Sequence, residues 1–521
     1  MSVRSFIPLV HLSLFACISA FLFGYDLGLI GGALPLIQEQ LGTSDVVDQA
    51  IVGVAKLGAV LGAFLGSIVM KVHGRRPAMI LDVFFFIFGP IFMVVHPNVV
   101  LLIIGRVLVG IGIGISAVVT PAYLGEISPS VYRGRMVGSY EVMLCLGMLS
   151  ASLVDALVDT LSASWKWMVG LPIVPAMCMG AFVWNIPESP RWLVSEGQLQ
   201  EALSIMHKMY TATTLPEGEQ NSTDEVEAEL LLLWDSVQKE QQQIVDKSVS
   251  TVEMQSIGDG KEDMPLLDQA SQGSHLASRT LNIASDLPVS RTWLQGLTLL
   301  LRGFVEIFRD IYRLSASDER RAFVTVLLLA VFNQACGSTS IINYAPTVLE
   351  EQGIQSDTKA ILFSASTGVS KLAGVVVSFF LVDNVGRRPL LLSGSVGSSV
   401  SLSLLAVADA LSNVPLIVIS MSLFIFCFSL SWAEVFWIIL SEVFSMKRKS
   451  AAIAACTATL FLFGSAADLL FLTIRNALGF GSFALYAIIS LAGGVFVYFC
   501  VPETKGKTLM EVQQAFHLGG Q

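Results

Sequence analysis

Long apolar runs alternate with short polar interruptions along the whole chain. Twelve runs are long enough to cross a hydrocarbon core as helices, for which about 20 residues suffice. They lie near 8–31, 48–70, 79–95, 99–121, 136–160, 167–185, 321–349, 358–382, 389–410, 415–440, 450–473 and 480–500. A polar interval, 191–318, separates the sixth run from the seventh. Its first part, through "EVEAELLLLWDSVQKEQQQIV", shows charged faces at helical spacing. Residues 247–290 are rich in Ser, Asp, Gln and Gly, which predicts disorder. "TWLQGLTLLLRGFVEIFRDIYRL" approaches the apolarity of a thirteenth span, but Arg302, Glu306, Arg309 and Asp310 interrupt it, so an amphipathic helix on the membrane face is expected. The divisions that follow are a six-helix bundle (1–190), a linker (191–318), a second six-helix bundle (319–501) and a tail (502–521).

Composition agrees. The 521 residues are 54% apolar and 14% charged, with mean hydropathy +0.70; a soluble globular chain is about 25% charged. An all-α integral membrane protein is expected. The net charge of −10 says little about partners, because much of the acid lies in the linker, and nothing points to nucleic acid. The first run is too long for a secretory signal and no clear cleavage site follows it. Seven cysteines fall within or at the ends of spans without metal or disulfide spacing, and read as buried thiols. Six scattered histidines, no nucleotide loop and no nucleophile elbow argue against an enzyme and against a metal or organic cofactor.

Lysine and arginine mark sidedness. Lys71, Arg75 and Arg76, then Arg133 and Arg135, then Arg387 and Arg388, then Lys447, Arg448 and Lys449 occupy alternate loops, and Lys505 and Lys507 the tail. The opposite loops hold Lys166, Lys359 and Arg475. The positive-inside rule then puts both termini in the cytoplasm, which requires an even number of spans.

The halves repeat each other. Gly74-Arg75-Arg76-Pro77 recurs 312 residues later at Gly386, and Pro187-Glu188-Ser189-Pro190-Arg191 is echoed 315 residues later by Pro502-Glu503-Thr504-Lys505-Gly506. Paired six-helix halves with matching loops are the signature of the major facilitator architecture, with a substrate site at the midplane between them. Together with "PAYLGEISPSVYRGRM", "PESPRWL", "NYAP", "VDNVGRRPLLL", "WIILSEVF" and "VPETKGKTL", these motifs make the chain resemble the sugar porter family over essentially all of its length except the linker.

The resemblance implies gating charge networks that tie helix ends together in one state and release them in the other. Arg75, Arg76, Glu126, Arg133, Glu188 and Arg191 are expected in the first half's network. Asp383, Arg387, Arg388, Glu442 and Glu503, with Arg448 or Lys449, are expected in the second's. Lys71 stands where the family motif carries an acid, so one ion pair of the first network is expected to be missing. The resemblance also implies a broken span seven, with Asn333, Gln334 and Thr339 bonding sugar hydroxyls; amide and hydroxyl groups both donate and accept. Trp437 holds the position of a ring that stacks on sugar. The prolines usual in span ten are absent, so no kink is expected there. Glu141 and Lys371 stand where glutamine and asparagine are common, and can pair across the cavity or bind substrate.

Asp26 interrupts the first span in "FLFGYDLGLIGGAL". A carboxylate at mid-membrane costs roughly 2.5–3.5 kcal/mol on insertion scales, so it calls for a partner or a proton. By the resemblance that partner is Arg106, and Asp26, Arg106 and Glu141 become proton-coupling candidates, with H+ as coupling ion. The expected activity is symport of a hexose or polyol. A uniporter with a static Asp26–Arg106 pair and a non-transporting sugar sensor are the alternatives. The linker's Glu262, Leu266 and Leu267 match an acidic dileucine pattern read by sorting adaptors. A monomer in the plasma membrane is expected, with an endosomal or vacuolar membrane as the alternative.

Overall fold

The computed structural model describes residues 12–43, 45–96, 98–128, 133–158, 164–211, 293–316, 319–344, 348, 357–507, 511–512 and 515–516. The first half contains α1 (Ile18–Leu41), α2 (Asp45–His73), α3 (Arg75–Val95), α4 (Val99–Ile127) and α5 (Arg133–Val158). A sixth segment is divided near Pro172 into α6 (Ser164–Gly170) and α7 (Ile173–Val183). Between the halves come α8 (Pro190–Ser195), α9 (Leu199–Thr211) and α10 (Trp293–Ala316). The second half contains α11 (Arg320–Ala335), α12 (Ser338–Asn343), α13 (Asp357–Val385), α14 (Arg387–Ala410), α15 (Val414–Phe428), α16 (Glu434–Glu442), α17 (Met446–Leu478) and α18 (Gly481–Cys500). Among the described residues eleven segments are long and apolar enough to span a membrane, and α1 adds the shorter apolar stretch Ile18–Ile30.

In lipid, apolar side chains gain little by meeting each other, so close backbone approach holds such helices together. Gly24 of α1 lies on the α5 backbone at Leu144, and Gly147 of α5 lies on the α1 backbone at Phe21; a β-carbon at either would strike main-chain atoms. Outward faces stay apolar: Phe84, Phe88 and Phe92, one turn apart on α3, are all exposed. The halves meet along two seams, α2 against α17 and α5 against α13 and α16.

Span seven is broken as expected. α11 ends at Cys336, Gly337 takes φ 78°, and α12 follows. Span ten corrects an expectation: without prolines it still leaves α-geometry, through a five-residue π-turn, Ser429–Ala433, between α15 and α16. A π-turn shifts the backbone register, and here the Trp432 carbonyl accepts the Asn333 amide at 2.9 Å. The cysteines correct another, since Cys178 and Cys500 are exposed rather than buried; all seven are free.

The amphipathic run of the linker forms α10, packed across α2 and α17. Phe308 stacks on Phe64 at 5.4 Å. Lys71 pairs with Asp310 at 2.7 Å and Glu306 at 3.2 Å. The lysine that lacks its motif acid therefore holds the linker helix instead. The stretch expected to be disordered and the Glu262, Leu266 and Leu267 pattern lie outside the described residues.

Candidate functional site

A cavity between the halves is lined by Asp26, Arg106, Glu141, Asn333, Gln334, Thr339, Lys371 and Trp437. Asp26, on α1, forms an ion pair with Arg106, on α4. Arg106 Nε also donates to the Ile51 carbonyl of α2 at 3.2 Å, so one guanidinium ties three helices. Both charged groups are buried, at 6% and 4% exposure. The neighbouring guanidinium offsets the cost of burying the carboxylate.

Across the cavity Lys371 of α13 faces Glu141 of α5 at 3.7 Å, bridging the halves. The break in span seven supports a relay of polar groups. Thr339 Oγ1 donates to Gln334 Oε1 at 3.2 Å, Gln334 Nε2 to Asn333 Oδ1 at 3.0 Å, and Asn333 to the Trp432 carbonyl. Each amide carries more donor and acceptor capacity than these bonds use. Trp437 lies beside Tyr140, ring centres 5.6 Å apart. Amides that both donate and accept, beside a flat ring, are groups able to match a polyhydroxylated ligand.

Contacts between the halves lie at both ends of the cavity. At the end bearing the Gly-Arg-Arg-Pro loops, here the basic end, each half first builds its own network. Arg75 pairs with Glu126 at 2.8 Å, Ser189 donates to Glu126 at 2.6 Å, and the Arg75 and Arg76 amides donate to Glu188 at 2.8 and 3.0 Å. In the second half Arg387 pairs with Glu442 at 3.0 Å, Thr504 donates to Glu442 at 2.9 Å, and the Arg387 and Arg388 amides donate to Glu503 at 3.0 Å each. Gly74 and Gly386, at φ 98° and 107°, open the two helices that carry these arginines. Half-to-half contacts here include Lys449 with Glu126 at 3.1 Å and the Arg135 amide with Asp383 at 3.0 Å. Lys449, expected with the second network, thus reaches into the first. Arg133, expected in the first, lies at the seam close to Glu442, with Arg191 beside it. Arg448 faces Glu319 at 3.7 Å.

A family model described as sugar (and other) transporter matches residues 12–256 and 308–516. The chain belongs to that family. It is 28% identical over 513 residues to "Probable polyol transporter 4" of Arabidopsis thaliana, covering 97% of this chain and 84% of that one. It is 27% identical to the glucose transporter GlcP of Staphylococcus epidermidis, with 94% of each covered. The fold matches that of the proton:xylose symporter XylE bound to 6-bromo-6-deoxy-D-glucose, with TM-score 0.73 at 21% identity over 98% of this chain and 99% of that one. The protein is a multi-pass membrane transporter of this family and not an enzyme.

Several charged residues of this transporter escaped the reading of its sequence. Lys56 of α2 pairs with Asp468 of α17 and joins the halves at the end opposite the basic one. Asp468 also accepts from Ser340 at 2.8 Å and Asn343 at 3.2 Å, fastening α12 to the same latch. Asp409 binds Arg475 at 2.5 and 2.9 Å. Glu434 is fully buried. Each is a lone charge inside an apolar run, the same signal that singles out Asp26.

Proposed function

We propose that the protein is a proton-coupled symporter of a hexose or polyol, working by alternating access. The observation that carries this is the buried Asp26–Arg106 pair, which lines the same cavity as the hydroxyl-matching residues. Asn333, Gln334, Thr339, Glu141 and Lys371 bind the substrate's hydroxyls, and Trp437 covers its C–H face. Loss of the Arg106 contact in one state raises the proton affinity of Asp26, and linkage makes proton and substrate each favour the other's binding. Glu141, paired across the cavity with Lys371, takes part in the same titration. Relatives named as a polyol transporter and a glucose transporter support the substrate class. The Arg75–Glu126 and Arg387–Glu442 networks serve as the gate at the basic end, and the positive-inside rule makes that end, with both termini, cytoplasmic. The protein functions as a monomer in the plasma membrane, and Glu262, Leu266 and Leu267 serve a sorting adaptor.

Reconstitution in liposomes with a panel of hexoses, pentoses and polyols tests both parts. An imposed proton gradient should drive accumulation of the preferred sugar, and Asp26→Asn should abolish accumulation while leaving exchange. Gradient-driven accumulation by Asp26→Asn at full size would overturn the role of Asp26. Wild-type flux indifferent to the gradient would establish the uniporter, in which the pair is static.

A further inference from the structure

Glu434 lies outside the cavity lining. It begins α16, directly after the π-turn, and is 0% exposed. Its carboxylate rests on Gly138 of α5 in the other half, where a β-carbon would collide with Oε1. Among the described residues no group reaches either oxygen at ordinary hydrogen-bond geometry. The surrounding cations are engaged elsewhere: Lys371 with Glu141, Arg387 with Asp383 and Glu442. The buried Ser378 hydroxyl of α13 faces it, and a neutral hydroxyl cannot balance a carboxylate.

Three residues of α5 in succession face the second half. Gly134 lies on Asp383, Gly138 on Glu434, and Glu141 opposite Lys371. Glu434 therefore sits in the seam, about one turn from the basic-end contacts and one turn from the cavity. The charges that act on it are Glu141 from the cavity side and Asp383 and Arg387 from the basic end. Glu126 of α4 and Lys449 of α17, on the other charged helices packed against α16, bind each other. A dry, unpaired carboxylate is strongly disfavoured, whereas the neutral acid is tolerated. Any motion that parts α5 from α16 brings water to this group.

We propose that Glu434 is a second proton-binding group of the transporter, neutral while α5 and α16 touch and ionised when the basic end opens. The inference rests on the alternating-access reading above. Opening releases one proton to solution at the basic end, and closing takes one back from the same side. Glu434 thus adds nothing to net proton transport, unlike Asp26. It makes closure at that end easier as the pH there falls.

The test uses the full-length protein in nanodiscs without substrate, so that it stands apart from the question of what is transported. Infrared difference spectra at neutral pH should show protonated carboxylic-acid absorption in the wild type that Glu434→Gln diminishes and Asp26→Asn retains. Hydrogen exchange over 133–141 and 434–442, corrected for intrinsic rates, should rise with pH by up to tenfold per unit in the wild type, the slope for one linked proton. Glu434→Gln should remove that one-proton share of the slope and leave only what Asp26 and Glu141 contribute. Glu434→Leu provides the same comparisons if the glutamine variant does not fold. An undiminished acid band in the variant, or an unchanged pH slope, overturns the proposal. Both signatures in a protein that moves no sugar would uphold it while sinking the transport reading.

Discussion

Glu126→Gln should open the basic end by a factor of a hundred or more. Glu126 holds Arg75 at 2.8 Å within its own half and Lys449 at 3.1 Å from the other, and none of the three side chains is more than 2% exposed. Glutamine keeps the shape and can still accept from Ser189, but it removes the charge. Arg75 stays beside residue 126 whether the halves meet or part, so its loss cancels to first order. Lys449 is buried against Glu126 only while the halves meet, so its stranding weighs on the closed state alone. Removing one partner of a buried pair costs about 3–5 kcal/mol. Lys449 can shed its proton and relieve part of this, so we take about 3 kcal/mol, or about 150-fold in the equilibrium. Hydrogen exchange over 133–141 and 442–452 in nanodiscs reads that change as lost protection. Glu188→Gln is the control, because the Glu188 oxygens accept from backbone amides of Arg75, Arg76 and Ser189 in the same half. It should weaken the first half by about 1.5–3 kcal/mol, as for hydrogen bonds to a charged group, without opening the seam. Equal loss of protection in both variants, or none in Glu126→Gln, refutes this account of the latch.

Four further outcomes are expected. Lys56→Met should loosen the opposite end by about 1 kcal/mol, or about fivefold, since the pair is 18% and 15% exposed. Asp468→Ala should cost more because Ser340 and Asn343 lose their acceptor too, and exchange over 338–343 should separate the two variants. Gly147→Ala should lower stability by about 1–3 kcal/mol through overpacking on α1, whereas Gly53→Ala, with open space around it, should be neutral or better in thermal unfolding. Lys71→Gln should free α10 and raise proteolysis within 293–316 about fivefold, for a loss of about 1 kcal/mol; unchanged cleavage would remove Lys71 as its anchor.

What could be read from the chain was whatever repeats or is locally periodic. Span length follows from apolar runs, the two-half plan from the recurring Gly-Arg-Arg-Pro loops, and the expected partners of Asp26 and Glu141 from motif positions in a known family. Pairings specific to this chain were hidden. Lys56 and Asp468 are 412 residues apart, and helical periodicity tells which face a residue occupies but not which helix stands opposite. The same limit hid the contact of Glu434 with Gly138 and of Lys71 with α10. The π-turn was missed for another reason. It needs no proline where an amide such as Asn333 can take a carbonyl that the altered backbone register leaves open.

The repeat also indicates which end of the cavity gives way more easily. At the basic end the half-to-half contacts follow it: Lys449 meets Glu126 while Arg133 lies close to Glu442, and both members of each set are 316 residues apart. The buried Lys449–Glu126 pair thus ties the halves where the repeat also sets Arg133 in the field of Glu442. The lysines deeper in the bundle follow the repeat only loosely. Lys56 stands 19 residues before Arg75 and Lys371 stands 16 before Arg387, within one turn of equivalence, and each crosses a different seam to an acid. Their acids lie at different depths: Glu141 is 8 residues beyond Arg133, and Asp468 is 19 beyond Lys449. Both lysines line the cavity, and the Lys56–Asp468 pair, at 18% and 15% exposure, is the wetter of the two. A pair of that kind is worth about 1 kcal/mol, against about 3 for a buried one stranded. The end joined by Lys56 and Asp468 should therefore open first, leaving the basic end shut until the cavity's charges change.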